Sequence, residues 1–299
     1  MSQTKQERNK ALVLEAFDTL FNKRDYVAAE RYWSPTYVQH SAHIAPGREG
    51  LFDLIKSMPP TLKYQPGVIV ADGDHVIVHY GRSAAEADAL VAGIRAAGGR
   101  ADAAQADLSL PEGAATLAKQ VRALVGQRLD VFVANAGVSK AAAIEEHTIE
   151  DFDNLFATNV RSPFFLVKEL LPLFREGSSI IVVSSLGARA VPGNPGQPGA
   201  PSLPAYAATK GALETLVKHW AALLGPRGVR VNAVAPGVIE TDMSHFTKTE
   251  AGRGFTLAMQ ALKRIGQPSD VADVIAFLAS DGARWITGAS IPVDGGSKL

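Results

Sequence analysis

The stretch Asp74-His75-Val76-Ile77-Val78-His79-Tyr80-Gly81-Arg82-Ser83, continued by AAEADALVA to Ala92, decides how this chain is read. Its first half is a strand by composition, since β-branched and aromatic residues run together from Val76 to Tyr80. Its second half is an alanine-rich helix. Two unlike parts of the chain claim the strand: a helical N-terminal third that reaches it through a hairpin, and a long C-terminal part in which strands and helices alternate.

The chain has 299 residues, 46% of them hydrophobic, with a formal net charge of zero. Such a balance leaves no electrostatic footprint for nucleic acid or an anionic membrane surface, and it points to a small-molecule partner. No cysteine is present, which excludes disulfides, thiolate catalysis and cysteine-based metal sites. The opening MSQTKQERNKALVLEAF has no apolar core of the signal-peptide type, and no later run is long enough to span a bilayer. The expectation is a cytoplasmic protein.

In the N-terminal third, apolar residues at Ala11, Leu12, Leu14, Ala16, Phe17, Leu20 and Phe21 follow helical spacing from Thr4 to Phe21. A second helix fits Asp25 to Tyr32, with Asp25 as its N-cap, and Ser34-Pro35 stops it before the extended piece Tyr37 to His40. Gly47 to Met58 reads as a third helix closed by Pro59-Pro60. Two strands, Leu62 to Val70 and His75 to Tyr80, then flank the turn Ala71-Asp72-Gly73-Asp74. His40 and His43 are three apart and could share a metal, but no Asp, Glu or His nearby completes a ligand set, and ordinary packing or solvation is the alternative.

After Tyr80 the pattern alternates. Helices are expected at Ser83–Ala97, Pro111–Val125, Ile149–Phe174, Leu203–Leu224 and Ser269–Leu278; strands are expected at Ala101–Ala106, Leu129–Ala134, Ser179–Ser184, Val229–Ala235 and Ser290–Val293. Strands with continuous apolar runs are buried on both faces, as in a parallel sheet covered by helices. The fold class is α/β, a doubly wound sheet.

Two resemblances follow from these words. Residues 1–80, carrying FDTLFNKRDYVAAERYWSPTYVQHSAHIAPGREGLFDLI, resemble the SnoaL-like polyketide cyclase family of cone-shaped α+β folds. Nothing after Gly81 continues that cone. Residues 81–299, sharing strand 75–80 with the first part, resemble the short-chain dehydrogenase/reductase family through ordered motifs: Asn135-Ala136-Gly137 after a strand, Asn159 in a helix, Ser184-Ser185 at a strand end, Tyr206-Ala207-Ala208-Thr209-Lys210, Asn232 to Gly237, and Ile291 to Gly296. Any one motif would be weak. Their order, each on the element the family requires, makes the assignment.

The chemistry gives the motifs their meaning. Tyr206 and Lys210 lie one helical turn apart, so the ammonium is expected to favour phenolate and lower a reference pKa of about 10. The resemblance implies that Tyr206 is the acid/base, that Ser185 bonds the reacting oxygen, and that Asn159 holds a water linking Lys210 to solvent. It further implies that Pro236, Gly237 and Val238 face a nicotinamide, that Thr241 bonds its carboxamide, that Asp107 faces the adenine, and that Asn135, Ala136 and Gly137 line the adenosine side. Arg82 and Ser83, a guanidinium and a hydroxyl at a helix N-terminus, favour NADP(H) over NAD. The family also implies a homodimer or homotetramer built on the helices that carry Asn159 and Tyr206.

Two departures qualify this. The run Pro192 to Pro201 lengthens the spacing between Ser185 and Tyr206 by roughly eight residues relative to the family, as a cleft wall or a surface decoration. More severe, the family's first strand, TGxxxGxG turn and helix are missing. Ala45-Pro46-Gly47-Arg48-Glu49-Gly50 and Val70 to Asp74 lack the spacing. Two or three lost bonds to a charged pyrophosphate, at about 1.5–3 kcal/mol each, remove on the order of 3–9 kcal/mol, and each 1.4 kcal/mol or so is tenfold in affinity. A micromolar site would fall to millimolar or worse unless Arg48, Lys56 or a helix N-terminus of the N-terminal part fills the gap.

The expected architecture is therefore a Rossmann-like sheet without its usual first strand and helix, with the α+β fragment packed on the vacated side and the hairpin strand Leu62 to Val70 in the gap. Two functions follow: an NADP(H)-dependent oxidoreductase for an alcohol or carbonyl, or a recombination product that folds without binding dinucleotide or catalysing. A surviving cyclase-type pocket is a third.

Overall fold

The computed structural model describes residues 5–34, 37, 46–58, 75–191 and 202–297. The strand expected at Leu62–Val70, both His40 and His43, and the run Pro192–Pro201 lie outside the described residues. The chain divides into two compact units, Met1–Gly73 and Asp74–Leu299.

In the first unit, helix α1 (Lys5–Phe17) runs into a π-helical turn, Asp18–Lys23, which Arg24 ends in the left-handed conformation. The short helix α2 (Tyr26–Ala29) begins where the Asp25 carboxylate accepts the Ala28 amide at 2.9 Å, as its cap position predicts. Helix α3 (Gly47–Ser57) follows. Their shared core is Leu20, Ala29, Trp33, Leu51, Phe52 and Ile55. Trp33 stands edge-on to Phe52 at 6.0 Å and tilted against Phe17 at 5.8 Å.

The second unit is built as strand β1 (Val76–Tyr80), helix α4 (Ala84–Ala96), β2 (Ala101–Gln105), α5 (Gly113–Val125), β3 (Val131–Ala134), α6 (Ile149–Phe156), a π turn (Ala157–Arg161), α7 (Ser162–Leu170), β4 (Ser179–Val183), α8 (Pro204–Leu224), β5 (Arg230–Pro236), α9 (Glu250–Met259), α10 (Pro268–Ala279) and β6 (Ser290–Val293). All strand pairs are parallel. The strands form two sheets, β1-β2 and β3-β4-β5-β6, and no ladder among the described residues joins β1 to β3. The break falls where the missing first strand of the family would stand.

Burial records the break. Strands β4 and β5 are buried nearly throughout, whereas β3 is half-buried along its whole length and β1 half-buried beyond its exposed first residue. Side chains alternate across a strand, so β4 sends Ile180 and Val182 to one face and Ile181 to the other. On the first face the core is continuous across the break: Ala104 and Ala106 by β2, Ile180 and Val182 of β4, and Val231 and Ala233 of β5 pack with α5, α7 and α8, and Ile77 of β1 joins them. On the second face the core of Ile181, Val234, Leu278 and Ala283, under α10, stops at β3. Ala87 and Val91 of α4 are buried but belong to neither cluster.

Two details differ from the sequence reading. The helix expected over Ile149–Phe174 is three segments, because the π turn interrupts it and Leu171–Leu173 tighten into a 3-10 turn. Helix α9, capped by the Thr249 hydroxyl accepting the Gly252 amide, lies where no helix is expected from the sequence.

The break predicts unequal sensitivity. Ile181→Ala, at a fully buried position, should cost about 2–5 kcal/mol in denaturant unfolding, as large-to-small core changes do. Val78→Ala on half-buried β1 should cost about 1 kcal/mol or less. Equal losses would mean that the strand beside the break is as well packed as the centre of the sheet.

Candidate active site

The sites named from the sequence fall at the C-terminal ends of the parallel strands, where open α/β sheets place their ligand crevice. Arg82 and Ser83 follow β1, Asp107 follows β2, Asn135 to Gly137 follow β3, Ser185 follows β4, and Pro236 ends β5 ahead of Gly237, Val238 and Thr241. Tyr206 and Lys210 face Ser185 from α8, and Asn159 sits on the π turn between α6 and α7.

Four of these residues lie near one another. The Ser185 hydroxyl lies near enough to the Tyr206 phenol to favour its phenolate. The Lys210 ammonium lies 5.5 Å from the centre of the Tyr206 ring and donates to the Val183 carbonyl at 2.8 Å. The Asn159 amide clamps the chain after Gly137: its Oδ1 accepts the Val138 amide at 2.8 Å, and its Nδ2 donates to the Val138 carbonyl at 2.9 Å and to Thr209 Oγ1 at 3.1 Å. Gly137 lets these groups converge, because a Cβ there would stand 3.3 Å from Asn159 Oδ1 and 3.5 Å from Lys210 Nζ. The π turn gives Asn159 a position off the regular helical ladder, a device frequent at functional sites.

Electrostatics correct one expectation. The sequence reading has the ammonium lowering the Tyr206 pKa, but burial raises it above the ordinary tyrosine value, and the bond from Ser185 only partly opposes the rise. Burial also lowers Lys210, to about 8. Tyr206 is therefore a protonated phenol at neutral pH, poised to give a proton, and Lys210 is a cation held against the carbonyl of Val183.

The residues implied for the two cofactor ends are set differently. Asp107 Oδ1 accepts both the hydroxyl and the amide of Ser109, at 2.6 and 2.9 Å, and these bonds, with Arg82 adding its charge, hold the carboxyl below the usual range. Arg82, Asn135 and Ala136 are exposed. Ser83 begins α4 without using its hydroxyl as a cap. At the other end, Gly237 passes so close to Asp294 that a Cβ would fall 2.8 Å from its Cα, and the Gly237 amide donates to the Val293 carbonyl at 3.1 Å. Thr241 is exposed just beyond. No hydrogen bond among the described residues ties Arg82 or Asp107 to the Tyr206 group. The described residues hold no cluster of three or more His, Asp or Glu suited to a metal ion, and none of their helices is long and apolar enough to cross a membrane.

Sequence reasoning missed Val183, Val138 and Thr209, which hold Lys210 and Asn159. The first two act through backbone groups, which side-chain identity does not reveal. Thr209 lies inside the Tyr206–Lys210 motif, where its hydroxyl reads as filler.

Comparison with known proteins agrees with both resemblances. The profile of a family described as enoyl-(acyl carrier protein) reductase matches residues 68–298, and that of a SnoaL-like domain matches residues 13–108. The two overlap across β1, α4 and β2. An uncharacterized oxidoreductase of Methylorubrum extorquens is 41% identical over 237 residues, covering 77% of this chain and 90% of that protein. Versicolorin reductase 1 of Aspergillus parasiticus is 38% identical over 238 residues, covering 75% and 87%. The crystal structure of a short chain dehydrogenase from Burkholderia cenocepacia in complex with NADP superposes with a TM-score of 0.70 at 34% identity, covering 77% of this chain and 89% of that one.

Burial of Lys210 makes stability depend on pH with a definite sign. Its folded pKa lies below the unfolded value near 10.4, so the unfolded chain binds the extra proton, and stability rises as pH climbs from about 8 to about 10.5. Lys210→Met should flatten that rise, on the order of 3 kcal/mol at full effect, in unfolding curves taken across this range. An unchanged slope would show that the ammonium is solvated.

Proposed function

This chain belongs to the short-chain dehydrogenase/reductase family over residues 68–298 and matches a SnoaL-like domain over the overlapping residues 13–108, and from that premise we propose that it reduces a carbonyl, or oxidises the matching alcohol, with NADP(H). The observation that carries the reading is the buried Tyr206 phenol with Ser185 beside it and the buried Lys210 ammonium 5.5 Å from its ring centre. Protonated Tyr206 gives its proton to the substrate oxygen in reduction, and the Ser185 hydroxyl donates to that oxygen as charge develops on it. Reduction also needs a hydride, which NADPH supplies when bound. Lys210 keeps a positive charge beneath the phenolate left behind.

The residues fit the two ends of that cofactor. Gly137 leaves open space beside Lys210 that a side chain would crowd. Arg82, exposed ahead of α4, and the uncapped hydroxyl of Ser83 suit a 2′-phosphate; Pro236, Gly237, Val238 and Thr241 would hold the nicotinamide, and Asp107 with Asn135 and Ala136 the adenosine. The TGxxxGxG turn that would hold the pyrophosphate is not in the sequence. Binding is accordingly weak, with dissociation constants of about millimolar or worse from the lost charged bonds, roughly 3–9 kcal/mol.

The broken sheet favours a second reading, a recombination product that folds without binding dinucleotide or catalysing. One experiment separates the two. Under the first reading, NADPH raises the melting temperature in a saturable way at millimolar concentration, and Tyr206→Phe lowers turnover of an aldehyde and ketone panel by about 100-fold or more. Because burial raises the Tyr206 pKa, reduction stays flat through neutral pH, whereas alcohol oxidation, which needs phenolate, climbs toward alkaline pH. A melt indifferent to NADPH, with no turnover above buffer, selects the second reading.

Assembly belongs to the same proposal. Phe164 and Phe165 stand 41% exposed on α7, beside a groove of about 770 Å³ that runs between α7 and α8 and is lined by Phe156, Val160 and Leu216. Those are the helices that would pair between copies in a homodimer or homotetramer, working in the cytoplasm. Light scattering should give a mass of two or four chains, and Phe164→Glu should return it to one.

A further inference from the structure

The end of β4 and the face of α8 are matched residue for residue. Val183, Ser184 and Ser185 are consecutive; Tyr206, Lys210 and Glu214 are successive turns of one helix. Each of the first three is held by one of the second. The Val183 carbonyl accepts Lys210 Nζ at 2.8 Å, the Ser184 hydroxyl donates to Glu214 Oε1 at 3.1 Å, and the Ser185 hydroxyl neighbours the Tyr206 phenol and favours its phenolate. Two of these links belong to the acid/base group. The third involves a carboxylate with no place in the chemistry.

Glu214 is placed as a hub. Its side chain is 13% exposed, and its Oε1 also accepts the Ser290 hydroxyl of β6 at 2.8 Å. Its Oε2 accepts Arg189 Nε at 2.8 Å. Arg189 closes the turn that Ser185 opens, since the Ser185 hydroxyl accepts the Gly187 amide and the Arg189 amide donates to the Leu186 carbonyl. The Arg189 guanidinium also reaches the Ser290 carbonyl at 3.1 Å. One carboxylate thus fixes the residue before Ser185, the residue four after it, and the neighbouring strand end. A hydroxyl leaning on a phenol must be placed within tenths of an ångström, and such precision comes from supporting bonds on rigid elements.

We propose that Glu214 is a positioning residue, which acts through Ser184 and Arg189 to hold Ser185 against Tyr206. This rests on the reading of Tyr206 as the acid/base for its catalytic meaning, but its structural content can be tested without turnover. Ser185 is the group that favours the phenolate of Tyr206, so loosening Ser185 drives the phenol's titration to higher pH. The charged neighbours are Lys210 beside the phenol and Arg189 on Glu214; both remain in the variants below.

Tyr206 is followed by phenolate absorbance in the near ultraviolet, as the difference between each protein and the same protein carrying Tyr206→Phe. Glu214→Ala and Ser184→Ala should each raise the midpoint by about 0.5 unit or more, and Ser185→Ala should set the ceiling. Ser184→Ala removes one oxygen and keeps the fold even where Glu214→Ala melts early. The double variant Glu214→Ala/Ser185→Ala should titrate as Ser185→Ala alone, because both changes remove the same bond. In a turnover assay Glu214→Ala should lower kcat about tenfold and leave the KM for NADPH within about twofold. A Tyr206 midpoint unchanged in folded Ser184→Ala and Glu214→Ala, or shifts that simply add in the double variant, overturns the proposal. A shifted midpoint in a protein without turnover sustains it and removes the oxidoreductase reading instead; turnover with an unshifted midpoint does the reverse.

Discussion

The second unit depends on one shared apolar face. Two sheets that exchange no ladder hydrogen bond among the described residues are held together because α5, α7 and α8 lay a continuous core across both, from Ile77 and Ala104 to Val231. In an intact doubly wound sheet the ladder and both faces share this task. Here the ladder is interrupted and the second face covers only the four-stranded part. Burial of each valine or isoleucine contributes roughly 1.5–3 kcal/mol, so the first face can hold the halves together, but it leaves β1 and β3 half-exposed beside the break.

The same arrangement sets which candidate residues are firmly supported. The Tyr206 group draws on β3, β4, the π turn and α8, all in or against the four-stranded sheet. Its residues are joined by short bonds, and its groups have the burial that sets their protonation. Of the residues implied for the adenosine end, Arg82, Ser83 and Asp107 follow the strands of the two-stranded sheet, where Asp107 satisfies itself on Ser109, whereas Asn135 to Gly137 follow β3 of the four-stranded sheet.

Much of this was legible beforehand, and the rest was not, for physical reasons. The strands were readable because apolar runs such as SIIVV and RVNAVAP have one plausible fate in an alternating α/β chain, and β6 falls at Ser290–Val293 as expected. Tyr206, Lys210, Ser185 and Asn159 were readable because they stand in ordered motifs that resemble the short-chain dehydrogenase/reductase family, Tyr206 and Lys210 one helical turn apart. The π turn was not, since no residue type enforces it; a helix-forming sequence adopts it only when packing and the Asn159 clamp demand it. Nor was the direction of the Tyr206 shift, because proximity to Lys210 can be inferred from spacing whereas desolvation depends on everything that surrounds the ring. Glu214 illustrates the same limit, a carboxylate that on a bare helix reads as solvated.

The contact between Gly237 and Asp294 has a further meaning for how the site comes into being. The loop after β5 takes its shape by lying on the residue that follows β6, and its amide is held by Val293. Each parallel strand waits for a long crossover before it can pair, which makes such sheets slow to complete. During synthesis the helix carrying Tyr206 and its strand emerge first and can collapse around Lys210, while the contact against Asp294 is missing until β6 has been synthesised and has docked. The candidate site is in this sense completed only after β6, and a chain arrested before that strand would carry a buried tyrosine with nothing opposite it.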